Sequence, residues 1–230
     1  MDADTTRRRG DYEKILSVFS SEEADILLGT QMIVKGHDFP GVTLVGILMA
    51  DLSLYGDDYR CAERTFQLLT QAAGRAGRGT QAGDVVIQTY KPDHYAIRHA
   101  SRQDYEGFYE EEIAYRKLLR YPPVAHMMAV QVQSENEDKA LAASGEIRER
   151  LDLLLQKTRG PRFALIGPSG ASLKKLRDLY RFVLYIKSEQ YEALIGCKDL
   201  VEQMLEKESG RGGRFRDVDV QFDFDPVNSF

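Results

Sequence analysis

The sequence predicts an α/β chain in two parts: a parallel-sheet lobe followed by an α+β domain of βαββαβ order. Three observations carry this. Short apolar runs alternate with helically spaced segments over the first 120 residues, Tyr121-Pro122-Pro123 breaks that pattern, and strict two-residue alternation dominates afterwards. Prolines cannot continue a helix, and each pushes the residue before it towards an extended backbone, which makes 121–123 the natural boundary.

In the first part, Lys14 to Phe19 reads as an early helix. Asp25-Ile26-Leu27-Leu28 and Thr43 to Met49 are apolar runs of the kind found in strands buried on both faces of a parallel sheet. Ala62, Phe66, Leu69 and Ala73 recur at helical spacing and Gly74 ends that helix. Val85-Val86-Ile87 reads as the next strand, completing a crossover pattern. A helical stretch from His94 to Leu119 follows. Its apolar stripe is Tyr105, Phe108, Tyr109, Ile113 and Leu119, and Glu110, Glu111 and Glu112 mark its wet side.

In the second part, Met128, Val130 and Val132 alternate with Ala129, Gln131 and Gln133. Ala140, Ala143, Ile147, Leu151 and Leu154 keep helical spacing. Phe163 to Ile166 is a short strand ending at Gly167-Pro168. Phe182, Leu184 and Ile186 alternate with Arg181, Val183, Tyr185 and Lys187, and Tyr191 to Leu205 is helical. Val218, Val220, Phe222 and Phe224 alternate with Asp217, Asp219, Gln221 and Asp223. The sum is a ferredoxin-like arrangement, two helices on one face of an antiparallel sheet.

The totals set limits. With 230 residues, 43% hydrophobic and 29% charged, the chain suits one or two globular domains. No run of 18 apolar residues is present, so no membrane span is expected. The two cysteines, Cys61 and Cys197, lie far apart and in no CxxC pair, which argues against a disulfide framework or a zinc site and for a reducing cytoplasm. A net charge of −5 argues against nonspecific coating of nucleic acid. Local basic tracks remain: Arg7-Arg8-Arg9; Lys174, Lys175, Arg177 and Arg181; and Arg211, Arg214 and Arg216. Charge alone favours reading each as a solvated surface run.

The segment richest in chemistry is Gln71-Ala72-Ala73-Gly74-Arg75-Ala76-Gly77-Arg78. Two arginines three apart, separated by glycines past a helix end, suit a phosphate clamp. Guanidinium is permanently charged and grips phosphate oxygens through paired hydrogen bonds, and glycines let the backbone turn tightly. Arginine at a γ-phosphate stabilises charge during phosphoryl transfer. The alternative is a glycine-rich turn with surface arginines. A second segment, Gly29 to Asp38, follows an apolar run at the position where parallel α/β folds place ligands. There Thr30 could bond a nucleic-acid phosphate, Lys35 add charge, and Asp38 bond a ribose or an arginine. His37 reads as a loop histidine, since no second histidine or cysteine stands at ligand spacing.

Together these segments resemble motifs V and VI of superfamily 2 helicases. The run Gly29-Thr30-Gln31-Met32-Ile33, then Lys35-Gly36-His37-Asp38-Phe39-Pro40, Ala62-Glu63-Arg64 and Gln71 to Arg78 is similar to the PriA family of primosomal replication-restart helicases. Tyr121-Pro122-Pro123, Gly167-Pro168, Tyr180-Arg181 and Asp223-Phe224-Asp225-Pro226 extend that resemblance over nearly the whole chain. It implies a partial RecA-like helicase lobe 2 at 1–93, a helical linker at 94–123 and an accessory domain at 124–230. It also implies an ATP- and Mg2+-dependent 3′-to-5′ DNA helicase that acts on forked or single-stranded DNA with single-stranded-DNA-binding protein and primosome proteins. In that frame Arg78 is the arginine finger, Arg75 and Gln71 lie beside the ATP phosphates, Thr30 touches the DNA backbone, and Gly36 and Asp38 couple the two. The terminal domain would contact fork DNA, with Lys174, Lys175, Arg177 and Arg181 as its candidate contacts.

The chain departs from the complete family pattern. It has no GxxxxGK[ST] phosphate loop, no acidic box for magnesium and no cysteine-rich zinc insertion. Asp2-Ala3-Asp4-Thr5-Thr6 resembles a stretch inside the second lobe, so a carboxy-terminal fragment, inactive as an ATPase by itself, is the expectation. Two other readings stay open: a noncatalytic interaction module, and a piece of another superfamily 2 translocase.

Overall fold

The computed structural model describes residues 1–34, 39–56, 58–77, 82–157, 163–208, 213 and 215–227. They fall into two compact units. One holds Met1–Gly56 and Arg60–Glu112, and the other holds Asp57–Tyr59 and Ile113–Phe230.

In the first unit, helix α1 (Asp11–Ser20) precedes strand β1 (Leu44–Ile47), helix α2 (Cys61–Ala73) and strand β2 (Asp84–Ile87). β1 and β2 pair in parallel, from Leu44↔Asp84 to Ile47↔Ile87. The α2 stripe packs as its spacing predicts: Phe66, Leu69 and Ala73 are buried, and Ala62 packs against the same cluster. The Phe66 and Phe108 rings stack at 4.2 Å. Each such ring is worth roughly 1.5–3 kcal/mol of burial.

Three expectations change here. Asp25–Leu28 is not a strand: Ile26 is 84% and Leu28 74% exposed. The Leu28 carbonyl accepts from the Met1 ammonium, and the segment has no ladder partner among the described residues. The parallel strands are not buried on both faces either, since Leu44 and Val86 are exposed. Exposed and half-buried residues alternate along both strands, and a parallel sheet needs both sides covered to hide alternate residues. Finally, the stretch from His94 to Leu119 is two helices, α3 (Tyr95–Ser101) and α4 (Tyr105–Leu119). Gln103 adopts φ +53°, and the Asp104 carboxylate accepts from the Gly107 backbone N–H at 2.9 Å and contacts His99 Nδ1 at 2.8 Å. Asp104 thus starts a new helix in the manner of an N-cap. Of the α4 stripe, Phe108 is buried while Tyr105, Tyr109 and Leu119 are exposed. Glu112, assigned to the wet side, is buried and accepts a 2.6 Å hydrogen bond from the Tyr95 hydroxyl.

The second unit is a four-stranded antiparallel sheet of order β4-β5-β3-β6, built from β3 (His126–Ser134), β4 (Phe163–Leu176), β5 (Leu179–Ser188) and β6 (Asp219–Phe224). Helices α5 (Glu137–Lys157) and α6 (Tyr191–Glu208) complete the βαββαβ order. Met128, Val130, Val132, Ile147, Leu151, Leu184, Ile186, Leu194 and Val201 are all fully inaccessible and form one core with Phe215. Phe215 has no patterned neighbours in sequence, and its burial comes from tertiary packing alone.

β4 is longer than predicted. It continues through Gly167-Pro168, with register shifts between Ile166 and Ser169 and between Gly170 and Lys175. Lys174 and Lys175 therefore lie on a strand and not in a loop. Arg177 (φ +50°) and Asp178 (φ +64°) form the two-residue turn, the positive-φ geometry that matches the twist of a hairpin. Asp217 (φ +65°) precedes β6 and does not continue its alternation.

Candidate functional site

In the first unit, α2 ends at Gly74, whose N–H donates to the Thr70 carbonyl. The Arg75 and Ala76 N–H groups then reach back three residues, to the Ala72 and Ala73 carbonyls. Gly77 turns at φ +70° and donates to the Val42 carbonyl at 3.1 Å. A Cβ added to Gly83 would stand 2.6 Å from the Ala76 carbonyl carbon. The two glycines let this turn lie against the backbone that leads into β2, which sets Arg75 at the carboxyl end of α2, where the helix dipole favours a cation.

Thr30 is exposed. Its N–H donates to the Met1 carbonyl and its own carbonyl accepts from Ile33. Gln31 opens a 3-10 helix, Gln31–Val34. Gln31 and Gln71 line one cleft of about 660 Å³, together with Arg64, Gln67, Thr70 and Tyr105. The two motif-bearing segments are thus side by side, although Asp25–Leu28, which precedes the first of them, is not the strand expected. Lys35, Gly36, His37, Asp38 and Arg78 lie outside the described residues. Arg64 and Gln67 were not singled out as site residues. Their signal was available, since they stand seven and four residues before Gln71 on the same helix face.

Asp51 is a second residue that sequence reasoning passed over. It is a buried carboxylate just past β1, accepting from Thr89 Oγ1 at 2.8 Å and the Tyr90 N–H at 3.0 Å. The Tyr90 N–H first and the Thr89 hydroxyl second hold it below the usual carboxylate range. Both bonds fall on Oδ1 and tie the end of β1 to the end of β2, an architectural role.

In the second unit, Arg181, Tyr185 and Lys187 share the sheet face opposite the Leu184 core, as their alternation predicts, but that face is not open. Ala129, Gln131, Val183 and Lys187 on it are buried, so β3 and β5 are covered on both sides and are not the half-buried strands expected. Across β3 the register sets Gln133 between Arg181 and Asp219, and Ala129 between Tyr185 and Asp223. Asp219 accepts from Gln133 Nε2 at 2.6 Å, and Arg181 Nε donates to the Gln131 amide oxygen at 2.6 Å. Lys174 Nζ lies 2.6 Å from Glu137 Oε1, and Lys175 Nζ 3.2 Å from Asp178 Oδ1. Those carboxylates raise both ammonium pKa values, so both lysines stay charged but partnered. Asp217 pairs with Lys139 at 2.8 Å.

Lys187 is set apart from the other cations. Its Nζ lies 3.3 Å from the Tyr121 ring centroid and donates to the Leu119 carbonyl, while Tyr121 stacks on Tyr59 at 4.9 Å. Burial pushes its pKa down from 10.5 to about 8. The folded protein therefore releases this proton before the unfolded chain does. Stability gains from Lys187 as pH rises from about 8 to 10.5, and the charged form carries a cost below that window. Lys187→Met is expected to flatten this rise in denaturant midpoints measured from pH 7 upwards, and an unchanged slope would refute the assignment. Among the described residues, no group of three His, Cys, Asp or Glu side chains could hold a metal ion.

Residues 3–80 match the helicase conserved C-terminal domain, and residues 117–227 match the primosomal protein N C-terminal domain. Over 206 residues, 90% of this chain, the sequence is 46% identical to the replication restart protein PriA of Bacillus subtilis (strain 168), covering 25% of that protein. The chain belongs to the PriA family. The PriA protein of Synechocystis is 39% identical over 203 residues, 88% of this chain and 24% of its own length. That of Chlamydia trachomatis serovar D is 36% identical over 230 residues, 100% of this chain and 29% of its own length. The chain spans about a quarter of the length of these PriA relatives. Within it, the helicase match contains the turn at Arg75 and the primosomal match contains the antiparallel sheet.

Proposed function

We propose that this chain is the arginine-bearing part of an ATP-dependent 3′-to-5′ superfamily 2 DNA helicase that acts in replication restart and primosome assembly. Residues 1–93 are the later half of motor lobe 2, 94–123 a helical linker and 124–230 an accessory domain for fork DNA or partners. The observation that carries the motor reading is the cleft shared by Gln31 and Gln71, with Arg75 one turn beyond. Arg78 serves as the arginine finger, Arg75 and Gln71 contact the ATP phosphates, and Thr30 and Lys35 contact the DNA backbone. Gly36 and Asp38 link DNA contact to nucleotide state. ATP and Mg2+ also require a phosphate loop and an acidic box, neither of which occurs in these 230 residues. The purified chain is therefore expected to show negligible ATP turnover, with or without DNA, and robust turnover would refute the division of labour.

The accessory domain is proposed to bind forked or single-stranded DNA through Lys174, Lys175, Arg177 and Arg181. Single-stranded-DNA-binding protein and primosome proteins are the proposed partners, and the cytoplasm the proposed compartment. A second reading, a noncatalytic interaction module, draws on the ion pairs of Lys174 and Lys175 and on Asp219 and Asp223, which share a sheet face with Arg181. A salt series separates the two. Reversal of Lys174, Lys175 and Arg177 to glutamate is expected to weaken binding to forked DNA and to lower the slope of log K against log salt by about 2–3. An unchanged slope favours the interaction module.

A further inference from the structure

The edge strand of the second unit carries a feature that charge alone does not explain. Between the pairs Gly170↔Phe182 and Lys175↔Tyr180, residues 171–174 of β4 stand opposite only Arg181 of β5. At this bulge Leu173 is 61% exposed, and beside the turn Leu176 is 45% exposed. Residues 173–177 therefore combine two exposed leucines with three cations at the end of a hairpin. The cations diverge. Lys174 reaches Glu137 near the start of α5, whereas Lys175 lies over the Tyr180 ring at 5.0 Å.

We propose that this hairpin tip is a wedge for a DNA junction between single and double strands. Leu173 and Leu176 lie against the apolar face of the last base pair, and Lys174, Lys175 and Arg177 hold the phosphates on either side. The proposal rests on the DNA-binding reading of residues 174–181. Exposed leucine gains only when something covers it. An apolar protein surface would desolvate three neighbouring cations without compensation. The open face of a terminal base pair, edged by phosphates, covers the leucines and pairs the cations at once. The present ion pairs to Glu137 and Asp178 are solvent-exposed, so exchanging them for phosphate costs little. The leucines then supply preference for a junction, while the cations supply affinity for any duplex.

The test uses the purified chain, a fork carrying 2-aminopurine in its last base pair, and a closed dumbbell duplex with no open end. Binding to the fork is expected to raise 2-aminopurine fluorescence. The Leu173→Ser/Leu176→Ser variant is expected to keep its melting temperature and its affinity for the dumbbell, but to lose both the fluorescence rise and the preference for the fork. Lys174→Ala/Lys175→Ala/Arg177→Ala is expected to weaken both DNAs alike. Salt-sensitive DNA binding in which the leucine variant retains the rise and the preference overturns the wedge alone. Absence of binding to either DNA overturns the DNA reading and the wedge with it. Leucine-dependent binding to phosphatidylserine vesicles in place of DNA also overturns it, in favour of a lipid surface.

Discussion

Arg78→Ala, placed in a PriA-family protein that carries this segment together with a phosphate loop, is expected to lower the kcat of ATP hydrolysis by about 10³-fold or more. The physical reason is that an arginine finger acts on charge that develops on the transferring phosphoryl group. KM for ATP should change far less than kcat, because the ground-state phosphates keep their other contacts. Arg78→Lys should recover little, since a point-like ammonium cannot reproduce two parallel hydrogen bonds from a planar fork. Arg75→Ala provides a comparison. Arg75 is half-buried in the turn that closes α2, so its loss should also lower the stability of the first unit. Steady-state ATPase assays with single-stranded DNA decide the matter. An Arg78→Ala enzyme with near-normal kcat would remove Arg78 from the site.

Leu184→Ala is expected to destabilise the second unit by about 2–5 kcal/mol. Leu184 is fully inaccessible, paired with Val130 across β3 and β5, and surrounded by core side chains from both helices. Truncation removes apolar contact from all of them and leaves a cavity that a central strand cannot close. At about 4 °C per kcal/mol for a unit of this size, its melting temperature should fall by about 8–20 °C. Leu173→Ala, at an exposed leucine on the neighbouring strand, should stay within about 0.5 kcal/mol of the parent. Equal effects from the two substitutions would contradict the packing described.

The contrast between these leucines shows what patterning can and cannot reveal. The alternation of Phe182, Leu184 and Ile186 was legible because successive strand residues point to opposite faces, but it did not show that Val183 and Lys187 on the other face are buried as well. Leu173 is as apolar as Leu184, yet it faces solvent because β4 lies at the sheet edge and gains extra residues against β5. The same edge turned a predicted lysine loop into a strand. The break in the helical stretch at Asp104 was written in the sequence as a capping residue, but the helical spacing around it concealed it. The expected strand at Asp25–Leu28 failed because an apolar run becomes a strand only when a neighbour supplies ladder hydrogen bonds. At the candidate site, the order of glycines and arginines in 71–78 is what suggests a phosphate clamp. The cleft that joins Gln71 to Gln31, Arg64 and Tyr105 did not show in that order.

By itself the sequence determined the two-part organisation, the βαββαβ order of the second unit, the helix that ends at Gly74, and kinship with PriA. All of these are local periodicities or short ordered strings, which adjacent residues impose on one another. The tertiary structure alone decided which apolar residues are covered, which carboxylates neutralise Lys174 and Lys175, and how Lys187 comes to lie against Tyr121 with a lowered pKa. Burial and charge pairing depend on residues brought together from distant parts of the chain, and no local pattern encodes that distance.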